Sequence, residues 1–171
     1  MYALELINEG DICCEVGVWK GETSEKILLK NPTVLHLIDP WASTDRPNRM
    51  YHIDQAEMDD IYESVQAKFE DRENVIIHRK PSDQVSFAKD YFDWVYIDGQ
   101  HRYNEVMFDL KRFYSSVKNG GWITGDDLSW KDHDDKGITQ AVKDFCARFN
   151  QEYQVIDGNR FAINLRKKPN A

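Results

Sequence analysis

The stretch YIDGQHRY, residues 96 to 103, follows the apolar run FDWV and places a carboxylate, Asp98, and an imidazole, His101, three positions apart. An aspartate and a glycine closing an apolar run mark a point where a strand hands over to a helix, and sites form at such points. A second one is GWITGDD, residues 121 to 127, which ends on Asp126 and Asp127. If the two runs are neighbouring strands, the three carboxylates converge at the ~5 Å spacing of adjacent strands. Such a cluster repels itself unless a hard cation or protons neutralise it, and an all-oxygen set suits Mg2+ held by Asp98, Asp126 and Asp127. A metal there would lower the pKa of a substrate hydroxyl and fix its oxygen. Histidine as a residue type titrates near neutrality, which makes His101 the candidate catalytic base; the alternative is a helix-start histidine bonded to a backbone carbonyl.

A second chemical feature opens the chain. EVGVWKGETS runs from Glu15 through Gly17 and Gly21 to Thr23 and Ser24. The glycines permit a tight turn and close backbone approach, and Thr23 or Ser24 can cap a following helix. Asp39 comes later at the end of VLHLID, near the spacing at which a carboxylate meets ribose hydroxyls in nucleotide-binding folds. The glycine pattern is not G-x-G-x-x-G, and an acidic Glu15 in the loop disfavours a pyrophosphate while favouring an amine or hydroxyl. A ligand with a cationic end and an adenosine fits both features.

These residues need a scaffold. Short apolar runs read as strands at 11 to 17, 34 to 39, 74 to 79, 91 to 98 and 121 to 126. Helical candidates lie between them at about 21 to 31, 56 to 70, 82 to 89, 102 to 117 and 137 to 149, an alternation that implies a parallel sheet with helices on both faces. Val106, Leu110, Phe113 and Val117 share one apolar stripe. After the last helix, EYQVID and RFAINLR flank Gly158 and Asn159 and read as an antiparallel hairpin. The expectation is one α/β domain over 1 to 171: a Rossmann-like, doubly wound sheet of seven strands, mostly parallel, finished by a C-terminal antiparallel hairpin. Residues 40 to 55 form the longest aperiodic segment and are a candidate lid.

Composition narrows the function class. The chain has 171 residues and a net charge of -8, which argues against binding nucleic acid through its phosphates and favours a small-molecule substrate. No run approaches the roughly 18 apolar residues of a membrane span, and the N-terminus lacks a signal-peptide pattern, so a cytoplasmic protein with no membrane partner is expected. Cys13, Cys14 and Cys146 have no metal-ligand spacing and read as core residues. His36, His52, His78 and His133 read as structural or solvated, and the acidic runs QAEMDD and KDHDDK as solvated faces.

Over nearly its whole length the sequence resembles class I S-adenosylmethionine-dependent methyltransferases. EVGVWKGETS is similar to their first motif, LIDPW to their second, and the terminal hairpin to the end of their seven-stranded sheet. YIDGQHRYNEVMFDL followed by VKNGGWITGDDL resembles the small-molecule O-methyltransferase branch that includes macrocin O-methyltransferase and cephalosporin-hydroxylase-like proteins. The resemblance implies S-adenosylmethionine as cofactor, with Gly17 and Gly21 against its methionine part and Asp39 on its ribose diol. Trp41 would line the adenine, and Ser82 and Asp83 would read it. Glu15, Trp19, Thr23 and Asp98 complete the implied cofactor-binding set. Catechol O-methyltransferase and its relatives carry acidic or amide metal ligands where Asp98, Asp126 and Asp127 stand, but a lysine where His101 stands. The implied activity is metal-assisted O-methylation of a small molecule such as a sugar or diol. The alternatives are a cofactor-binding domain without methylation activity and a NAD-type oxidoreductase, the latter disfavoured by Glu15, the missing middle glycine and the hairpin. The first strand begins about ten residues in, so helices that often precede it in the family are not expected. Either residues 40 to 55 or a neighbouring subunit of a homo-oligomer would then close the acceptor site.

Overall fold

Apolar residues placed consecutively rather than alternately mark strands buried on both faces, and the interior strand β1 (Ile12–Val16) has that pattern. It pairs in parallel with β2 (Val34–Asp39) on one side and β4 (Phe92–Ile97) on the other. The computed structural model describes residues 2–43, 53–130 and 137–167. Outward from β2 lies β3 (Val75–Arg79), and outward from β4 lies β5 (Val117–Gly125), both parallel. Beyond β5 comes β7 (Arg160–Asn164), antiparallel to β5, and then β6 (Gln154–Ile156) at the edge. The order is β3-β2-β1-β4-β5-β7-β6, the expected seven-stranded, mostly parallel sheet. The direction of winding reverses between β1 and β4, so a crevice opens at their carboxyl ends.

Helices cover both faces. On one side α3 (Tyr103–Ser116) and α4 (Gly137–Phe149) pack Val106, Leu110, Phe113, Val142 and Phe145 onto the sheet. On the other, α1 (Glu22–Leu28) and α2 (Gln55–Phe69) contribute Ile27, Ile61, Val65 and Phe69, joined by a 3-10 turn at Ala3–Leu6. Each fully buried large side chain is worth about 1.5–3 kcal/mol relative to exposure. Cys13, Cys14 and Cys146 are free and buried, as core residues should be. Among the described residues no helix is long and apolar enough to cross a membrane.

Two expectations change. The helix over 82 to 89 is only a 3-10 turn, Ser82–Gln84, after which the chain is extended. Val85 and Phe87 both reach the core cluster, and two-residue spacing to one side belongs to extended chain, not to a helix. Strand β5 begins directly at Val117, so NGG is absorbed as an irregularity opposite Phe92 and Trp94 instead of forming a loop. Its Gly120 is left-handed, and a Cβ on Gly121 would lie 2.8 Å from the Asp93 carbonyl oxygen. Residues 44 to 52 of the candidate lid lie outside the described residues, as do His52, His133 and the run KDHDDK.

His36 and His78, read as structural, form a pair. His36 Nδ1 lies 2.9 Å from His78 Nε2 and His36 Nε2 lies 3.2 Å from the Tyr91 hydroxyl, with Phe87 and Phe92 edge-on to the ring. Burial, reinforced by His78, pushes the His36 pKa down to about 4, and burial also lowers His78. A depressed folded-state pKa means that the unfolded chain binds the proton first, so stability is lost as pH falls from the ordinary value near 6.5 toward 4. Urea unfolding of His36→Phe should therefore show a flatter loss of stability between pH 6.5 and 4.5 than the wild type; parallel curves would rule the pair out as the cause.

Candidate active site

The site begins where strand tips touch. Gly17, just after β1, has φ +88, and a Cβ there would sit 2.3 Å from the Asp98 carbonyl oxygen. Only glycine lets the chain leaving β1 pass so close to the end of β4. The Gly17 amide donates to Ile38 O at 2.9 Å and the Asp98 amide to Val16 O at 2.8 Å, tying the ends of three strands together. The loop then runs to Gly21, the left-handed N-cap of α1, where no side chain caps the helix. Thr23 and Ser24 therefore do not cap it. Ser24 instead donates its hydroxyl to Glu15, and both residues are buried.

Asp39, at the end of β2, organises this loop. Its Oδ2 accepts from the amides of Val18 at 2.9 Å and Trp19 at 3.1 Å, and its Oδ1 from the amide of Trp41 at 2.8 Å. Trp19 and Trp41 both have positive φ, a conformation that these hydrogen bonds help to hold.

A cavity of about 470 Å³ opens above these tips. Glu15, Gly17, Trp19, Thr23, Asp39, Ser82 and Asp98 all line it. Gly21, Trp41 and Asp83 are not among the residues that line it. Gly21 backs onto Phe69, whose ring would lie 3.0 Å from an added Cβ. Trp41 is 1% exposed, with its ring against Tyr62 and its Nε1 donating to the Trp19 carbonyl at 2.9 Å, so it supports the loop from below. Asp109 on α3 lines the cavity and was missed. The signal for it was present: it stands three residues after Val106, on the apolar stripe of α3, where a carboxylate is out of place.

Of the expected carboxylate trio only Asp98 lines the cavity, and Asp126, Asp127 and His101 are not among its lining residues. Asp126 turns toward β7, where its Oδ2 accepts from Arg160 Nη2 at 2.7 Å, Arg160 Nε at 3.1 Å and the Tyr96 hydroxyl at 3.0 Å. Its Oδ1 accepts from the Asp127 amide at 2.8 Å, so both oxygens are engaged. Asp127 has a left-handed backbone and is held by Asn159 Nδ2 at 3.1 Å. It faces His101, whose Nε2 lies 3.5 Å from Asp127 Oδ2 and 3.7 Å from Asp98 Oδ1. The group that converges is therefore Asp98, His101 and Asp127, with one donor atom of each within 4.8 Å of the others. His101 Nε2 is buried with no hydrogen-bond partner among the described residues, and its ring tilts against Trp130. Burial raises the Asp98 pKa, His101 opposes that rise, and Asp126 and Asp127 add to it.

A model of the family described as "Methyltransferase domain" matches residues 14–128, from β1 to just past β5. The chain belongs to that family. Solved structures share its fold. The O-methyltransferase NovP has a TM-score of 0.66 at 19% identity, over 96% of this chain and 77% of that one. N-methyltransferase NodS from Bradyrhizobium japonicum WM9, in complex with S-adenosyl-L-homocysteine, has 0.65 at 13%, over 98% and 84%. Phosphoethanolamine N-methyltransferase 1 of Haemonchus contortus has 0.53 at 11%; the match covers 70% of this chain and only 22% of that one. A comparison with curated protein sequences returns no match.

Within this methyltransferase domain Glu15 is a buried acid. Burial pushes its pKa up to about 8; the Ser24 hydrogen bond opposes that rise, and Asp98 and Asp39 add to it. A folded-state pKa above the unfolded value of an acid means that stability falls as pH rises from about 4.5 through 8. Glu15→Gln keeps an acceptor for Ser24 but cannot ionise, so its unfolding free energy should decline less than that of the wild type between pH 5 and 8.5. Equal declines would show that Glu15 is ionised in the folded protein throughout.

Proposed function

We propose that the domain transfers the methyl group of S-adenosylmethionine to a hydroxyl of a small polar molecule, such as a sugar or diol. The observation that carries this reading is the cavity at the β1/β4 switch point, lined by Gly17, Asp39 and Asp98, with Asp98 also joined to His101 and Asp127 in one cluster. The S-adenosyl-L-homocysteine complex of NodS and the O-methyltransferase activity in the name of NovP support it. Gly17 admits the amino-acid end of the donor close to the backbone. Asp39 spends one lone pair on each amide it holds, and its remaining acceptor capacity faces the cavity for a ribose diol. Ser82 stands at the base end.

The donor supplies an electrophilic methyl on a sulfonium. In the transfer the C–S bond breaks, its electron pair stays on sulfur, and the acceptor oxygen forms the new C–O bond. The hydroxyl proton goes to His101 Nε2, and Asp98 and Asp127 on either side stabilise the imidazolium that results. No protein nucleophile is required. What the site supplies is position and proton removal.

The mutual distances of the three donors favour a second reading, in which Asp98, Asp127 and His101 hold a divalent cation. Such an ion would acidify an acceptor hydroxyl. One nitrogen and two oxygens suit Mn2+ or Zn2+ better than the Mg2+ expected from an all-aspartate set, because Asp126 is taken by Arg160.

Calorimetry with S-adenosyl-L-homocysteine, repeated with Mn2+, Mg2+ or chelator, tests both. Donor-product binding is expected without added metal; its absence under every condition, or binding of NAD instead, overturns methyl transfer. With labelled S-adenosylmethionine and a panel of sugars and diols, His101→Ala should lose about 10²–10⁴-fold in turnover at unchanged product affinity. Mn2+ binding by the apoprotein that Asp127→Ala abolishes would select the cation reading.

A further inference from the structure

Asp109 is 4% exposed on the inner side of α3, beside Val106 and Leu110. A carboxylate so placed is costly unless it is paired or fully hydrogen-bonded. It accepts one hydrogen bond, from the Ser82 hydroxyl to its Oδ1 at 2.6 Å, and it has no ion pair among the described residues. Burial pushes its pKa up to about 6, with Ser82 opposing, so at neutral pH it is mainly an ionised group that can only accept. It also lines the cavity, together with Pro81 and Ser82. A buried acceptor that borders a cavity and is only partly satisfied by the protein is built for a donor on the ligand.

The sheet order fixes which part of the ligand that is. The tips above the cavity follow the sequence β4, β1, β2, β3, so Asp98 and Gly17 lie at one end, Asp39 lies in the middle, and Pro81 and Ser82 lie at the other. With the ribose on Asp39 and the amino-acid end at Gly17, the base extends toward Ser82 and Asp109. Ser82 has already given its one proton to Asp109. Asp83 is not among the lining residues.

We propose that Asp109 reads the base of the donor, its free carboxylate oxygen accepting a hydrogen bond from the exocyclic amine of adenine. This rests on the S-adenosylmethionine reading of the cavity. Ser82 is then a positioning residue: its hydroxyl pins one carboxylate oxygen and leaves the other for the base. A base that carries a carbonyl where adenine carries the amine would set oxygen against carboxylate and be rejected.

The test compares S-adenosylhomocysteine with S-inosylhomocysteine by calorimetry. The wild type should prefer the adenosyl compound by about tenfold or more, the scale of a hydrogen bond to a charged group. In Asp109→Asn the amide oxygen keeps the Ser82 proton and the amide N–H₂ faces the base, so the preference should collapse or invert. A merely structural role would weaken both ligands alike and leave their ratio unchanged, and that result overturns the proposal. Equal binding of the two compounds by the wild type overturns it without any variant, should Asp109→Asn fail to fold. If the wild type binds neither compound, the cavity reading fails and this inference with it; tight but undiscriminating binding defeats the inference alone.

Discussion

One carboxylate holds the site in shape. Asp39 accepts three backbone amides from two loops, those of Val18 and Trp19 after β1 and that of Trp41 after its own strand. Two of these residues stand at positive φ, which costs about 1–2 kcal/mol for a residue with a side chain. Charge-assisted hydrogen bonds of this kind offset such a cost. The clamp extends outward: Trp41 returns a hydrogen bond to the Trp19 carbonyl, and Gln55 at the start of α2 donates to the Trp41 carbonyl at 3.1 Å. The cavity floor and the start of α2 therefore depend on a single side chain.

The rim depends on a different pairing. Inserting β7 between β5 and β6 sets Arg160 beside the end of β5, where it draws Asp126 away from the cavity. Asp127, next in sequence, turns the other way and meets His101. Adjacent aspartates thus divide the work: one anchors the C-terminal hairpin to the sheet, and the other completes a cluster that can accept a proton or a cation. Burial of Asp98 beside that cluster raises the cost of leaving it unneutralised.

Much of this was legible in the residues. Consecutive apolar runs gave the parallel strands, the D-G pair after FDWV located the end of β4, and the spacing from Glu15 to Asp39 found the two sides of the cavity. What could not be read depended on contacts between distant segments. Arg160 and Asp126 are far apart in sequence, and nothing local says that they pair. The run after Ser82 looked helical by composition, but Val85 and Phe87 are drawn into the core as extended chain. Trp41 reads as a ligand-facing aromatic, and only its positive φ and the hydrogen bond to Trp19 show that it turns inward. Asp109 was hidden on a stripe read as core.

The most direct test of the account is to remove the clamp and ask what goes with it. Asp39→Ala deletes all three amide contacts and the proposed ribose acceptor but touches little of the apolar core. Titration with S-adenosylhomocysteine, beside thermal unfolding of the same sample, should show binding lost by about tenfold or more, the scale of one hydrogen bond to a charge, while cooperative unfolding persists. Wild-type affinity in a folded Asp39→Ala protein would contradict the account, because neither the loop nor the ribose site could then depend on that carboxylate.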